Sequence, residues 1–141
     1  MSTEDKDLAK MQEVLDMAPF HRWLGLQAQK LRSDGLTISM PWREEVVSNP
    51  ATQSAHGGVL ASLIDLAGFY ALIAVGKAPL ATADLRVDYH RAACPGMMTV
   101  EGRVVRIGRT LSVAEAYVLD ESGGLLSSGR GAYYVSSGGS R

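Results

Sequence analysis

The chain has 141 residues, with 14 Lys and Arg against 15 Asp and Glu and a net charge of −1. That length holds one domain with a real core, and the charge balance excludes a surface built to track nucleic acid or an anionic membrane. Apolar residues at 46% and charged residues at 21% exclude a disordered chain. Cys94 is the one cysteine and can form no internal disulfide, so a reducing, cytoplasmic setting is expected.

Residues 4–17 repeat apolar side chains at Leu8, Met11, Val14 and Leu15, the spacing of an amphipathic helix. Ser2, Thr3, Glu4 and Asp5 before it carry no secretory pattern of basic then apolar residues. Pro19 is expected to end this N-terminal segment, 1–19, because a proline forces its predecessor out of the helical region. Residues 20–25, with Phe20 and Trp23, read as a turn packed by its aromatics. Leu36, Ile38, Met40 and Trp42 alternate with Thr37, Ser39 and Pro41, a strand whose hairpin partner is 25–33 across the Ser33-Asp34-Gly35 turn. Residues 43–55, containing Asn49-Pro50, read as irregular.

Val59 to Val75 is the one long apolar run, and Asp65 interrupts it. It falls short of the about 20 residues of a membrane span, and a mid-bilayer Asp costs roughly 2.5–3.5 kcal/mol on insertion scales. A buried helix of a soluble domain is therefore predicted. Four strands follow at 82–90, 97–107, 110–119 and 125–135, and the last brings Ser127, Gly129 and Gly131 to one side, where a helix can lie close. The tail 136–141 is polar and expected to fray. The predicted fold class is α+β, one domain over 1–141, with an antiparallel sheet wrapped around the long helix. Its open edges and remaining face point to self-association.

Two features carry chemistry. Ser54-Ala55-His56-Gly57-Gly58 opens the buried helix, where free N–H groups and the dipole favour an anion or a developing oxyanion. The plainer reading is a tight entry turn capped by His56, and residue pattern alone leaves both open. Asp65 among Leu63, Ile64, Leu66 and Ala67 must be paired, protonated or used in acid–base chemistry. Accepting hydrogen bonds from a loop or a second chain is the structural alternative. Gly57 and Asp65 are eight residues apart, about 12 Å along a helix, so one reaction using both needs two chains with antiparallel helices. His21 and His90 are isolated and form no metal cluster. Cys94 lacks a placed base, and no G-x-S-x-G elbow or phosphate loop occurs.

His56-Gly57-Gly58, Asp65 nine positions after the histidine, the apolar helix and the strand order resemble the hotdog-fold acyl-CoA thioesterases of the phenylacetic-acid-degradation (PaaI) type, over about residues 20–135. The resemblance implies a hotdog fold and hydrolysis of an aryl-acetyl or medium-chain acyl-CoA. It gives Gly57 N–H to the thioester carbonyl, Asp65 as base or nucleophile, and His56 as the group orienting the helix entry or the thioester. A polar amide expected six residues before the histidine falls here on Pro50, flanked by Asn49, the favoured candidate, and Gln53. Thr82 matches a hydroxyl near the carboxylate. Arg106 and Arg109 around Gly108 match a basic hairpin for CoA phosphates, with Arg91 and Arg130 as lesser candidates. No metal or redox cofactor is implied, since CoA is part of the substrate. The expected assembly is a homodimer or homotetramer with active sites between subunits. The competing readings are a non-catalytic acyl-CoA binding or sensing module and a hotdog dehydratase. Trp23, Phe69, Tyr70 and Tyr89 are open to two uses, an aromatic pocket or core.

Overall fold

A computed structural model describes residues 1–136. Helix α1 (Thr3–Leu15) starts at a capping box, with Ser2 and Asp5 exchanging side-chain and backbone hydrogen bonds. Its last helical residue, Leu15, lies four positions before Pro19, and Asp16 is the C-cap. Pro19 then opens a second helix, α2 (Pro19–Leu24), where a turn is predicted from sequence. A proline at the first helical position forfeits an N–H that has no helical partner anyway, so it starts a helix as readily as it ends one. Gly25, at φ 72°, closes α2 in the left-handed conformation that glycine adopts without strain.

Strand β1 (Gln27–Arg32) and β2 (Gly35–Met40) form the predicted hairpin. The stretch expected to be irregular holds a 3-10 turn (Glu44–Val46) and a two-stranded ribbon of β3 (Val47–Asn49) and β4 (Ser54–Ala55). The ribbon sets the entry of α3 (Gly57–Ala74): His56 N–H donates to Val46 carbonyl oxygen at 2.7 Å. Then come β5 (Pro79–Tyr89), β6 (Met98–Arg106), β7 (Leu111–Leu119) and β8 (Leu125–Val135). Six strands pair antiparallel in the order β1-β2-β6-β7-β8-β5, which leaves β1 and β5 as edges. The architecture is the α+β, sheet-around-helix arrangement predicted. The proposed frayed tail lies outside the described residues except for Ser136, whose N–H donates to Ala78 carbonyl oxygen.

By length and composition α3 meets the criterion for a membrane span. In the fold it is the core helix, packed on β2, β5, β6, β7 and β8. Leu63, Ile64, Ala67, Ala71 and Leu72 are essentially without exposure, and each large aliphatic among them contributes about 1.5–3 kcal/mol by burial. Two sheet glycines permit this approach: a Cβ at Gly102 would overlap the Ala67 carbonyl, and one at Gly129 would overlap the Arg86 carbonyl and come within 2.7 Å of Ile64 Cγ2. Of the small residues of β8, Gly129 thus serves as the sequence pattern predicts, while Gly131 makes room for the Tyr133 ring. Cover is not complete, because Ala61, Ser62 and Asp65 on one flank of α3 remain half-buried beside edge strand β5.

Candidate functional site

The entry of α3 is built by His56. Its imidazole Nδ1 accepts the Gly58 N–H at 2.9 Å, and its carbonyl accepts the Val59 N–H at 2.9 Å. Holding that acceptor role requires an unprotonated Nδ1. Between these claimed groups, the Gly57 N–H has no hydrogen-bond acceptor among the described residues. Neither glycine has a positive φ, so backbone freedom is not the reason for the pair. Space is. A Cβ at Gly57 would sit 3.3 Å from the Tyr89 ring, and one at Gly58 would sit 3.1 Å from His56 Nδ1. His56 is the cap of the plainer reading, and the capped turn leaves one N–H aimed outward at the positive end of the helix. The capped turn is observed, and it leaves in place the N–H that the anion-binding reading would use.

Beside Gly57 lies an open cleft of about 340 Å³ lined by Ser54, Leu60, Tyr89, His90 and Arg91, among others. The Tyr89 hydroxyl donates to the Gly57 carbonyl at 2.8 Å.

Asp65 lies two turns further along α3, about 12 Å away by helix geometry. Its Oδ1 accepts from Thr82 Oγ1 at 2.7 Å. Thr82 reaches it because it pairs with Tyr133 in the ladder and shares the helix-facing side of the sheet. Of the alternatives for Asp65, acid–base use or accepting hydrogen bonds from a loop or a second chain, the structure shows a half-buried carboxylate with one short hydrogen bond, and it comes from a strand, β5. Tyr133 is a residue that sequence reasoning passes over. It has no exposed surface, its hydroxyl donates to the Asp65 carbonyl oxygen at 2.9 Å, and it fills the space left by Gly68 and Gly131. Burial pushes its phenol well above the usual range, and the Asp65 charge adds to the shift. Its position two residues after Gly131, on the small-residue side of β8 while Tyr134 takes the opposite side, is the signal that could have found it.

The remaining candidates divide by position. Asn49 Oδ1 accepts the Ala51 N–H at 3.1 Å, and Gln53 Nε2 donates to Pro50 carbonyl oxygen at 2.9 Å, so both amides serve the turn between β3 and β4. Arg106 and Arg109 are exposed on the β6–β7 hairpin. There a Cβ at Gly108 would overlap the Leu111 carbonyl. In the ladder, that hairpin lies at the end of the sheet where β5 enters, close to Thr82, while Tyr89 and Gly57 lie at the other end. Arg91 lies 3.8 Å from Asp120, and Arg130 pairs across the ladder with Glu115.

His21 Nδ1 lies 3.0 Å from the Leu15 carbonyl oxygen, and His90 Nε2 lies 2.7 Å from Ser128 Oγ. Cys94 is exposed. No group of three or more His, Cys, Asp or Glu side chains among the described residues is arranged to hold a metal. The four aromatics do not form one pocket. Phe69 and Tyr70 pack in the core, Trp23 stacks with Phe20 under the Arg43 guanidinium, and only Tyr89 faces the cleft.

Comparison with known proteins follows this geometry. The family model described as "Thioesterase superfamily" matches residues 52–127, from the turn before α3 into β8. A crystal structure of a thioesterase-superfamily protein is 40% identical and superposes with a TM-score of 0.87, covering 92% of this chain and 98% of that one. The medium/long-chain acyl-CoA thioesterase YigI of Escherichia coli is 27% identical, over 83% of this chain and 85% of the relative. The Escherichia coli PaaI protein, at 22% identity, shares the fold with a TM-score of 0.81, covering 95% and 96% of the two chains. With its long helix wrapped by an antiparallel sheet and a family match across more than half its length, the chain belongs to the thioesterase superfamily and has that family's hotdog fold.

Proposed function

We propose that this protein is an acyl-CoA thioesterase, hydrolysing an aryl-acetyl or medium-chain acyl-CoA to the free acid and CoA at sites shared between two copies of the chain. One observation carries the reading: α3 presents an unclaimed N–H at Gly57 and a hydroxyl-held carboxylate at Asp65. These are complementary halves of an acyl-transfer site, too far apart to meet in one protomer. The half-buried flank of α3 and the neighbouring β5 edge supply the surface on which an antiparallel partner would bring them together.

In this reading the Gly57 N–H and the helix dipole stabilise the oxyanion that forms on the thioester carbonyl. A water attacks the thioester carbon and gives its proton to Asp65. The tetrahedral adduct collapses with cleavage of the C–S bond, the proton passes to the departing sulfur, and CoA leaves. Direct attack by Asp65, giving a mixed anhydride that water opens, uses the same carboxylate. Thr82 holds that carboxylate and His56 holds the entry turn. Asn49 retains a free NH2 group to place the thioester or the water. Arg109 and Arg106 offer bidentate partners for CoA phosphates on the same side as Asp65. The chemistry requires no metal or redox cofactor. The acyl-CoA assignment is supported by the name of the YigI relative, and a cytoplasmic setting by the exposed lone thiol of Cys94.

The test is complementation between two inactive chains. Gly57→Pro removes the N–H at a first helical position after a residue already at φ −59° and ψ 135°; Gly57→Ala, which keeps the N–H and sets the same Cβ 3.3 Å from the Tyr89 ring, is the steric control expected to stay active. Asp65→Asn removes the carboxylate and retains an acceptor for Thr82. Gly57→Pro and Asp65→Asn should each alone lose at least about 100-fold in CoA release from phenylacetyl- and straight-chain acyl-CoAs. Co-assembled, they should recover about a quarter of wild-type turnover, since half the oligomers are hybrids and each hybrid dimer has one intact site. Loss in both singles with no recovery in verified hybrids would reject the shared site. Tight binding of acyl-CoA without any CoA release would reject the enzyme in favour of a sensor.

A further inference from the structure

We propose that Tyr89 is a positioning residue for the reaction at Gly57: by holding the Gly57 carbonyl it orders the Gly57–Gly58 peptide and so limits, through the Gly57 Cα, how the adjoining His56–Gly57 peptide presents its N–H to the thioester carbonyl. The inference rests on the thioesterase reading above and deepens it.

Two tyrosines reach α3 from the sheet. Each donates its hydroxyl to a helix carbonyl, Tyr133 to Asp65 and Tyr89 to Gly57. For Tyr133 the bond needs no functional explanation: the side chain is fully buried, and a buried hydroxyl must find a protein partner. Tyr89 is 54% exposed and lines the open cleft, so water is available to its hydroxyl. Its bond to Gly57 is therefore not forced by desolvation.

Two consecutive glycines at a helix start form the least constrained backbone a chain can present. In this turn the Gly57–Gly58 peptide is held from both ends, and the preceding His56–Gly57 peptide, which carries the Gly57 N–H, is held by the Val59 N–H on the His56 carbonyl. His56 Nδ1 accepts from the Gly58 N–H, and the Tyr89 hydroxyl donates to the Gly57 carbonyl. Among the described residues the Gly57 N–H has no acceptor. The Tyr89 ring also occupies the space that a side chain at position 57 would need, with its atoms 3.3 Å from where a Cβ would stand. The ring fills the side-chain space at position 57, and the hydroxyl fixes the peptide that adjoins the one carrying the N–H. An oxyanion donor is effective only when preorganised toward the position the oxyanion will occupy, and small misplacement of such a group is costly in rate.

Tyr89→Phe tests this, because it keeps the ring and removes only the hydroxyl. Turnover and backbone exchange are measured together on the intact protein. The expected result is a fall in kcat of about tenfold with KM within twofold of wild type, and an unchanged thermal midpoint. The amide hydrogen of Gly58 should exchange about tenfold faster as the entry turn loosens. A kcat within twofold of wild type would overturn the role. So would a loss appearing wholly in KM, which would make the hydroxyl a substrate contact. Unchanged exchange at Gly58 would overturn it whatever substrate the protein takes. Failure of the thioesterase reading is distinguishable: wild-type protein would then release no CoA, while the exchange comparison would still decide whether Tyr89 orders the turn.

Discussion

The two positions of the proposed site on α3 are solved by opposite means. At Gly57 the proposed reactive group is a backbone N–H, beside a carbonyl claimed by Tyr89 and a Gly58 N–H claimed by His56. At Asp65 the proposed reactive group is a side chain, held in place by Thr82 while the backbone beneath it is pinned by the buried Tyr133. The first site is at a helix end beside a cleft, and the second is mid-helix against the sheet. A helix end supplies function by withholding hydrogen bonds. A helix middle has no backbone group to spare, so a side chain must do the work and tertiary neighbours must orient it.

That comparison can be broken most directly at the carboxylate. Asp65→Asn should lower kcat by about 10²–10⁴-fold, the range of a lost general base, with little change in melting temperature. Retained turnover would leave Gly57 as the only working half. Next in size is the packing that brings α3 onto the sheet. Gly102→Ala places a methyl against the Ala67 backbone carbonyl, which cannot rotate away. Chemical denaturation should show a loss of about 1–3 kcal/mol.

Tyr133→Phe is smaller, at about 1 kcal/mol for one hydrogen bond to a carbonyl, and it has a pH signature. The Tyr133 phenol is raised by burial first and by the Asp65 charge second. Below the ordinary phenol value of 10.0 both folded and unfolded chains keep the proton, and the contribution is complete. As pH climbs past that value the unfolded chain releases its proton before the folded one does, and stability falls. Thermal melts between about pH 9 and 11 should show a shallower alkaline decline in Tyr133→Phe than in wild type. The smallest effect sharpens the division of labour between the ends of the sheet. Arg109→Ala should raise KM for acyl-CoA about threefold to tenfold with kcat unchanged, as expected for an exposed phosphate contact. An effect confined to kcat would contradict that assignment.

Legibility in the sequence followed the range of the forces involved. The strands of the second half and the long helix could be read to within a few residues, because alternation and unbroken apolarity are local patterns that burial enforces directly. The entry at His56-Gly57-Gly58 was readable for the same reason, since a cap and its glycines are neighbours in the chain. Around residue 19 the local rule was ambiguous: Pro19 fits both the end of one helix and the start of the next, and packing chose the second. The ribbon of β3 and β4 also escaped, since strands of two and three residues have no period to detect.

By itself the sequence determined that a carboxylate would interrupt a buried helix eight residues after a glycine entry, and that one chain could not bring the two together. Tertiary structure decided what each of them touches. Thr82 meets Asp65 across 17 positions, Tyr89 meets Gly57 across 32, and Tyr133 meets the Asp65 backbone across 68. Those partners come from separate strands, and their meeting depends on sheet register and on glycines that admit the helix. Helix spacing is a property of consecutive residues and can be computed from one segment. Contacts between segments exist only after the chain has closed its loops and packed, and no single stretch encodes them.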